Sequence, residues 1–216
     1  MATSHFFNRR LHSLLGIIPV GVFLLIHLTV NYMATRGPES FNNAAGFMES
    51  LPYLAVLEWV LIFLPLLYHA IYGLYIALQA KHNVGNFGYF RNVMFMLQRY
   101  TGIITLIFVG WHVWETRAQM ALGTKELNFN MMADILQNNW MMAFYLVGVI
   151  SAVFHFSNGM WSFLVSWGIT IGPRSQRIST YVWMTVFVLV SIVAVSALFS
   201  FTNAEYIKEA AKLTTH

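Results

Sequence analysis

Four histidines stand inside otherwise apolar stretches of this chain: His27, His69, His112 and His155. An ionisable ring at membrane depth is costly, so by default it marks a functional site. Such a ring can ligate a metal, relay a proton, or sit hydrogen-bonded in a core. Two of the four are followed at helical spacing by glycine, in His69-Ala70-Ile71-Tyr72-Gly73 and in Phe154-His155-Phe156-Ser157-Asn158-Gly159. Residues four apart share a helix face. Gly73 and Gly159 therefore leave room beside their histidines for something flat and bulky.

The elements that position these rings follow from composition. The 216 residues are 58% hydrophobic and 9% charged, with mean hydropathy +0.61. Soluble domains carry about 25% charged residues, so the chain reads as an all-α integral membrane protein. Without cysteine, it has no disulfide, no cysteine-held iron–sulfur cluster and no covalent c-type haem. Five runs match the roughly 20 apolar residues that cross a bilayer: about 11–33, 56–79, 94–116, 140–168 and 179–202. Arg9 and Arg10 before the first run do not make it a secretory signal. The run is too long, contains Pro19 and lacks a small-residue cleavage site. Residues 1–202 form one transmembrane domain, and 203–216 read as a polar tail.

The first four runs contain a duplication. Gly16 and Gly102 are 86 residues apart, His27 and His112 85, Phe41 and Phe129 88, and His69/His155 and Gly73/Gly159 86 each. Near-equal offsets in the same order indicate two copies of a two-helix unit. The expected architecture is a pseudo-twofold four-helix bundle plus one peripheral helix without a histidine. Charge gives the topology. With the N-terminus inside, Arg9, Arg10, Lys81, Arg91, Arg99, Arg174 and Arg177 fall on the inner side. All eight acids then fall at or beyond the outer ends. The Lys/Arg bias predicts a cytoplasmic N-terminus and an external C-terminus. It also explains the net charge of +4 without nucleic acid.

Depth divides the histidines. At about 1.5 Å per residue, His27 and His112 lie roughly 9 and 8 Å below the outer end, and His69 and His155 roughly 16 and 22 Å in. Each resulting pair takes one ring from each copy. Two imidazoles facing across a bundle core can fill both axial positions of a haem, leaving none for oxygen. Such a haem carries electrons. Each pair, His27 with His112 outside and His69 with His155 inside, is therefore a candidate bis-histidine site for a non-covalent haem. Ser13 and Arg99, each opening a duplicated helix, are candidate partners for the anionic propionates. His12 has two readings, a propionate contact or a headgroup residue. His5, His82 and His216 lie in polar segments and read as solvated.

Three stretches carry a family resemblance: Arg10-Leu11-His12-Ser13-Leu14-Leu15-Gly16, the run from Gln98-Arg99-Tyr100-Thr101-Gly102 to Trp111-His112-Val113-Trp114-Glu115-Thr116, and Phe154-His155-Phe156-Ser157-Asn158-Gly159-Met160-Trp161. They resemble the dihaem cytochrome b558 membrane-anchor subunits of succinate dehydrogenase in Bacillus-type bacteria, and the similarity extends to about residue 202. The resemblance implies a subunit of the bacterial cytoplasmic membrane with no dehydrogenase site of its own. It implies flavoprotein and iron–sulfur partners on the cytoplasmic side. Electrons would pass from the iron–sulfur subunit to the inner haem, the outer haem and then menaquinone. The same pairing of ligands is implied. Tyr32, Arg36 and Glu58 are candidate quinone contacts, Glu58 having an ordinary helix-start acid as its other reading. Two alternatives stay open: a dihaem anchor for fumarate reductase, and a haem-free anchor whose histidines relay protons.

Overall fold

The computed structural model describes residues 2–81 and 83–213, with side chains from His5 onward. His82 and His216 lie outside the described residues. Five helices are long and apolar enough to cross a membrane: His5–Arg36, Leu54–Gln79, Phe90–Ala121, Asn139–Ser166 and Pro173–Ser200. No strand occurs among the described residues. The third and fifth spans start earlier than their apolar runs, because Arg91, Asn92 and Arg174–Thr180 are polar first turns of continuous helices. Pro173 opens the fifth span, where its missing amide costs nothing.

Two spans contain a turn of π-helix, at Glu58–Phe63 and Trp114–Ala118. The first stands directly before Pro65, which the sequence marks as a disruption. Proline cannot donate to the carbonyl four residues back. The helix accommodates it by widening, with the Leu64 amide donating to the Trp59 carbonyl five residues earlier.

The chain forms two compact units. The first comprises Met1–Leu24, Ala55–Leu106 and Ser151–Leu189. In it the fifth span packs on the fourth through Phe154 against Phe187 and Phe156 against Trp183, at ring separations of 5.4 and 6.3 Å. Trp161 Nε1 donates to the Gln176 carbonyl at 3.0 Å. Arg91 hydrogen-bonds Thr180 and lies over the Trp161 ring.

The second unit comprises Leu25–Leu54, Ile107–Ile150 and Val190–His216. Here the connecting helices Pro38–Glu49 and Phe129–Leu136 pack against each other and against a C-terminal helix, Ala204–Leu213. Gly37 takes φ +104° to turn the chain into the first of these, with Pro38 as its opening residue. The echo between residues 40–46 and 128–134 becomes a contact: Asn42 Oδ1 accepts from the Phe129 amide at 2.8 Å. Phe201 packs between Phe41, edge-on at 89°, and Phe129, tilted by 41°, at 5.0 Å from each. The stretch expected as a polar tail is thus mostly a helix, amphipathic and seated on this aromatic cluster. Asn203 Oδ1 caps it by accepting from the Glu205 amide at 2.9 Å.

Candidate haem-ligand pairs

In the first unit the His69 and His155 ring centres lie 6.0 Å apart, inclined by 82°. Each is held from behind by main chain. His69 Nδ1 lies 2.9 Å from the His12 carbonyl, and His155 Nδ1 lies 3.0 Å from the Gln98 carbonyl. A carbonyl only accepts, so each Nδ1 carries the proton and each Nε2 keeps its lone pair. His12 and Gln98 are themselves 86 residues apart, a counterpart pair hidden from the sequence reading because the residue types differ.

Glycines complete the symmetry. A Cβ on Gly16 would come 2.3 Å from His69 Cε1, and one on Gly102 would come 2.8 Å from His155 Cε1. These glycines, 86 apart, make the room for the imidazoles. Gly73 and Gly159 instead face the supporting residues, with Cβ positions 2.8 Å from His12 Nε2 and 3.3 Å from Gln98 Nε2. Four-residue helical spacing alone puts their empty faces beside the histidines of their own helices. The space belongs to the neighbouring helix.

The supports are not identical. His12 stacks on His69 at 4.1 Å and 10°, and its buried Nε2 has no hydrogen-bond partner. Gln98 donates to the His155 carbonyl at 3.0 Å and accepts from Asn158 at 2.7 Å. Arg99 lies over the Phe95 ring at 3.6 Å, and its buried Nη1 also lacks a hydrogen-bond partner. Ser13 is half-buried.

In the second unit the His27 and His112 ring centres lie 5.8 Å apart, inclined by 70°. Phe108 stacks on His112 at 5.7 Å. It is seated against Gly148, where a Cβ would come 2.1 Å from its Cγ. Asn31 Nδ2 donates to the His27 carbonyl at 2.8 Å and lies 3.3 Å from its Nε2. Of the suggested quinone contacts, half-buried Tyr32 and exposed Arg36 belong to this unit, whereas half-buried Glu58 belongs to the first.

Two imidazole nitrogens on one metal ion, each at about 2 Å, put ring centres roughly 6 Å apart. Both observed separations are of that size. Among the described residues there is no cluster of three or more His, Cys, Asp or Glu able to hold a metal ion. The donor sets therefore suit a metal whose remaining positions are filled by something other than protein.

Comparison with known proteins is decisive here. The model of the succinate dehydrogenase/fumarate reductase transmembrane subunit family matches residues 77–194, more than half of the chain. The chain belongs to this family. Among its relatives, the succinate dehydrogenase cytochrome b558 subunit of Bacillus subtilis (strain 168) is 62% identical over 196 residues. That match covers 91% of this chain and 96% of the relative. The five spanning helices suit a transmembrane subunit.

Proposed function

We propose that this chain is the haem-carrying anchor of a succinate dehydrogenase, delivering electrons from a cytoplasmic iron–sulfur partner, itself fed by a flavoprotein, to menaquinone. The single observation that carries the reading is the first-unit pair: two imidazoles at haem-ligand separation, both with Nδ1 on a carbonyl, so that both Nε2 atoms are left to bind iron. The name of the Bacillus subtilis relative, a cytochrome b558 subunit, supports the same reading.

The residues fit two b haems. His69 and His155 would hold one and His27 and His112 the other, and each haem when bound supplies a one-electron carrier without an open coordination position. The chain's part is to fix the rings. The carbonyls of His12 and Gln98 set the tautomer and the ring orientation, and Gly16 and Gly102 admit the imidazoles. The unpartnered Nε2 of His12 and Nη1 of Arg99 are suited to anionic propionates, with Ser13 available as a hydroxyl donor. Tyr32 and Arg36, in the unit of the second pair, remain the quinone-contact candidates, with Glu58 a third.

Charge supports a cytoplasmic N-terminus in the bacterial membrane. The first unit holds seven Lys/Arg and one acid, Glu58, while the second holds five Lys/Arg and seven acids.

The test uses membranes carrying the assembled complex. Succinate should reduce menaquinone in the parent. In His69→Ala and in His27→Ala that rate should fall at least tenfold, while succinate oxidation by a soluble artificial acceptor continues. Full menaquinone reduction in both variants would refute the proposal.

A further inference from the structure

Three of the four candidate ligands can be compared at Nδ1, and one differs in kind. His69 and His155 rest on main-chain carbonyls. His112 Nδ1 instead lies 3.3 Å from the Tyr145 hydroxyl. Tyr145 Oη in turn donates to Glu115 Oε2 at 3.2 Å, and Trp111 Nε1 donates to the same oxygen at 3.1 Å. Tyr145 is 1% exposed and among the largest fully buried side chains. Its ring is fixed edge-on by Phe108 at 5.2 Å and by Phe144 at 6.2 Å. Glu115 lies within the π-helical turn Trp114–Ala118, and Lys125 Nζ donates to its main-chain carbonyl at 3.3 Å.

The direction of this chain follows from valence. An imidazole that binds iron through Nε2 carries its proton on Nδ1, so His112 donates to Tyr145. A hydroxyl has one hydrogen, and that of Tyr145 goes to Glu115. Oε2, already accepting from an indole that can only donate, is the terminal acceptor. His112 is thereby tied through a phenol to a carboxylate. A stronger acceptor behind a ligating histidine raises the basicity of the ligand. Greater electron donation favours ferric over ferrous iron and lowers the reduction potential.

We propose that Tyr145 is a positioning residue for His112, and that Tyr145 with Glu115 lowers the potential of the haem held by His27 and His112 while leaving the other pair untouched. The proposal rests on the ligand assignment above. Hydrogen bonding behind one ligand would thereby make the two haem sites unequal.

The experiment is a redox titration of the haem absorbance in the purified complex, with His112→Ala marking which spectral component belongs to this pair. Tyr145→Phe keeps the ring and its packing and removes only the hydroxyl. It should raise the midpoint of the marked component by about 59 mV, the equivalent of a tenfold change in ferric-to-ferrous ratio for one electron. The other component should stay in place. Glu115→Gln, which keeps Tyr145, should move the same component in the same direction. An unmoved midpoint in both variants, or equal movement of both components, would overturn the proposal. So would loss of that haem from both variants, which would make the pair scaffolding only. If His112→Ala removes neither component, the ligand assignment itself fails, a result distinct from the others.

Discussion

At Gly102 an added methyl group would meet His155 Cε1 at 2.8 Å and Nδ1 at 3.1 Å. That ring cannot retreat freely, because its Nδ1 is anchored on the Gln98 carbonyl. Overpacking of this kind costs about 1–3 kcal/mol. Gly102→Ala should therefore lower the thermal midpoint and release the haem of the first pair. Gly110→Ala, on the same span with nothing within 4 Å of its Cβ position, should change neither. Haem content and melting of the two variants side by side make the check, and identical behaviour would contradict the packing argument. The four histidines were legible in the sequence because burial of an imidazole is expensive and apolar runs show where it occurs. Their supports were not. Helix-face arithmetic pairs a residue with neighbours on its own helix, whereas Gly16 serves His69 and Gly102 serves His155 across helices. Tyr145 is similarly hidden: its partners His112 and Glu115 are 33 and 30 residues away, with no motif to join them.

At the scale of elements, hydropathy located the five spans, because each crossing needs a long apolar run whatever its partners. It failed at the C-terminus. Ala204–Leu213 mixes Glu205, Lys208, Glu209 and Lys212 with apolar residues, and a window average hides a one-sided face. In the structure Ala210 is 2% exposed, and the Tyr206 hydroxyl donates to the Thr35 carbonyl at 3.0 Å. Phe201, 1% exposed, fills the centre of the aromatic cluster. Phe201→Ala should cost about 3–5 kcal/mol, and Tyr206→Phe only about 0.5–1.5 kcal/mol for one hydrogen bond. Thermal unfolding in detergent would show that ranking. A Phe201→Ala midpoint equal to that of the parent would mean that the aromatic cluster contributes nothing to the second unit.

At the scale of the whole molecule, two units each hold one histidine pair, and each pair draws one ring from each copy of the duplicated two-helix segment. The duplication was readable because the offsets stay near 86 through glycine, histidine and phenylalanine alike. The asymmetry laid over it was not. His12 stands where Gln98 stands in the other copy, and Tyr145 with Glu115 supports only one ring of the second pair. Family membership makes the chain a transmembrane subunit, and the proposal adds that its paired imidazoles hold two haems. The most direct measurement is a pyridine haemochrome assay on the purified chain or its complex, normalised to protein by amino-acid analysis. The account predicts two b haems per chain, falling to one in His69→Ala and to one in His112→Ala. A colourless preparation, or two haems retained in both variants, would contradict it.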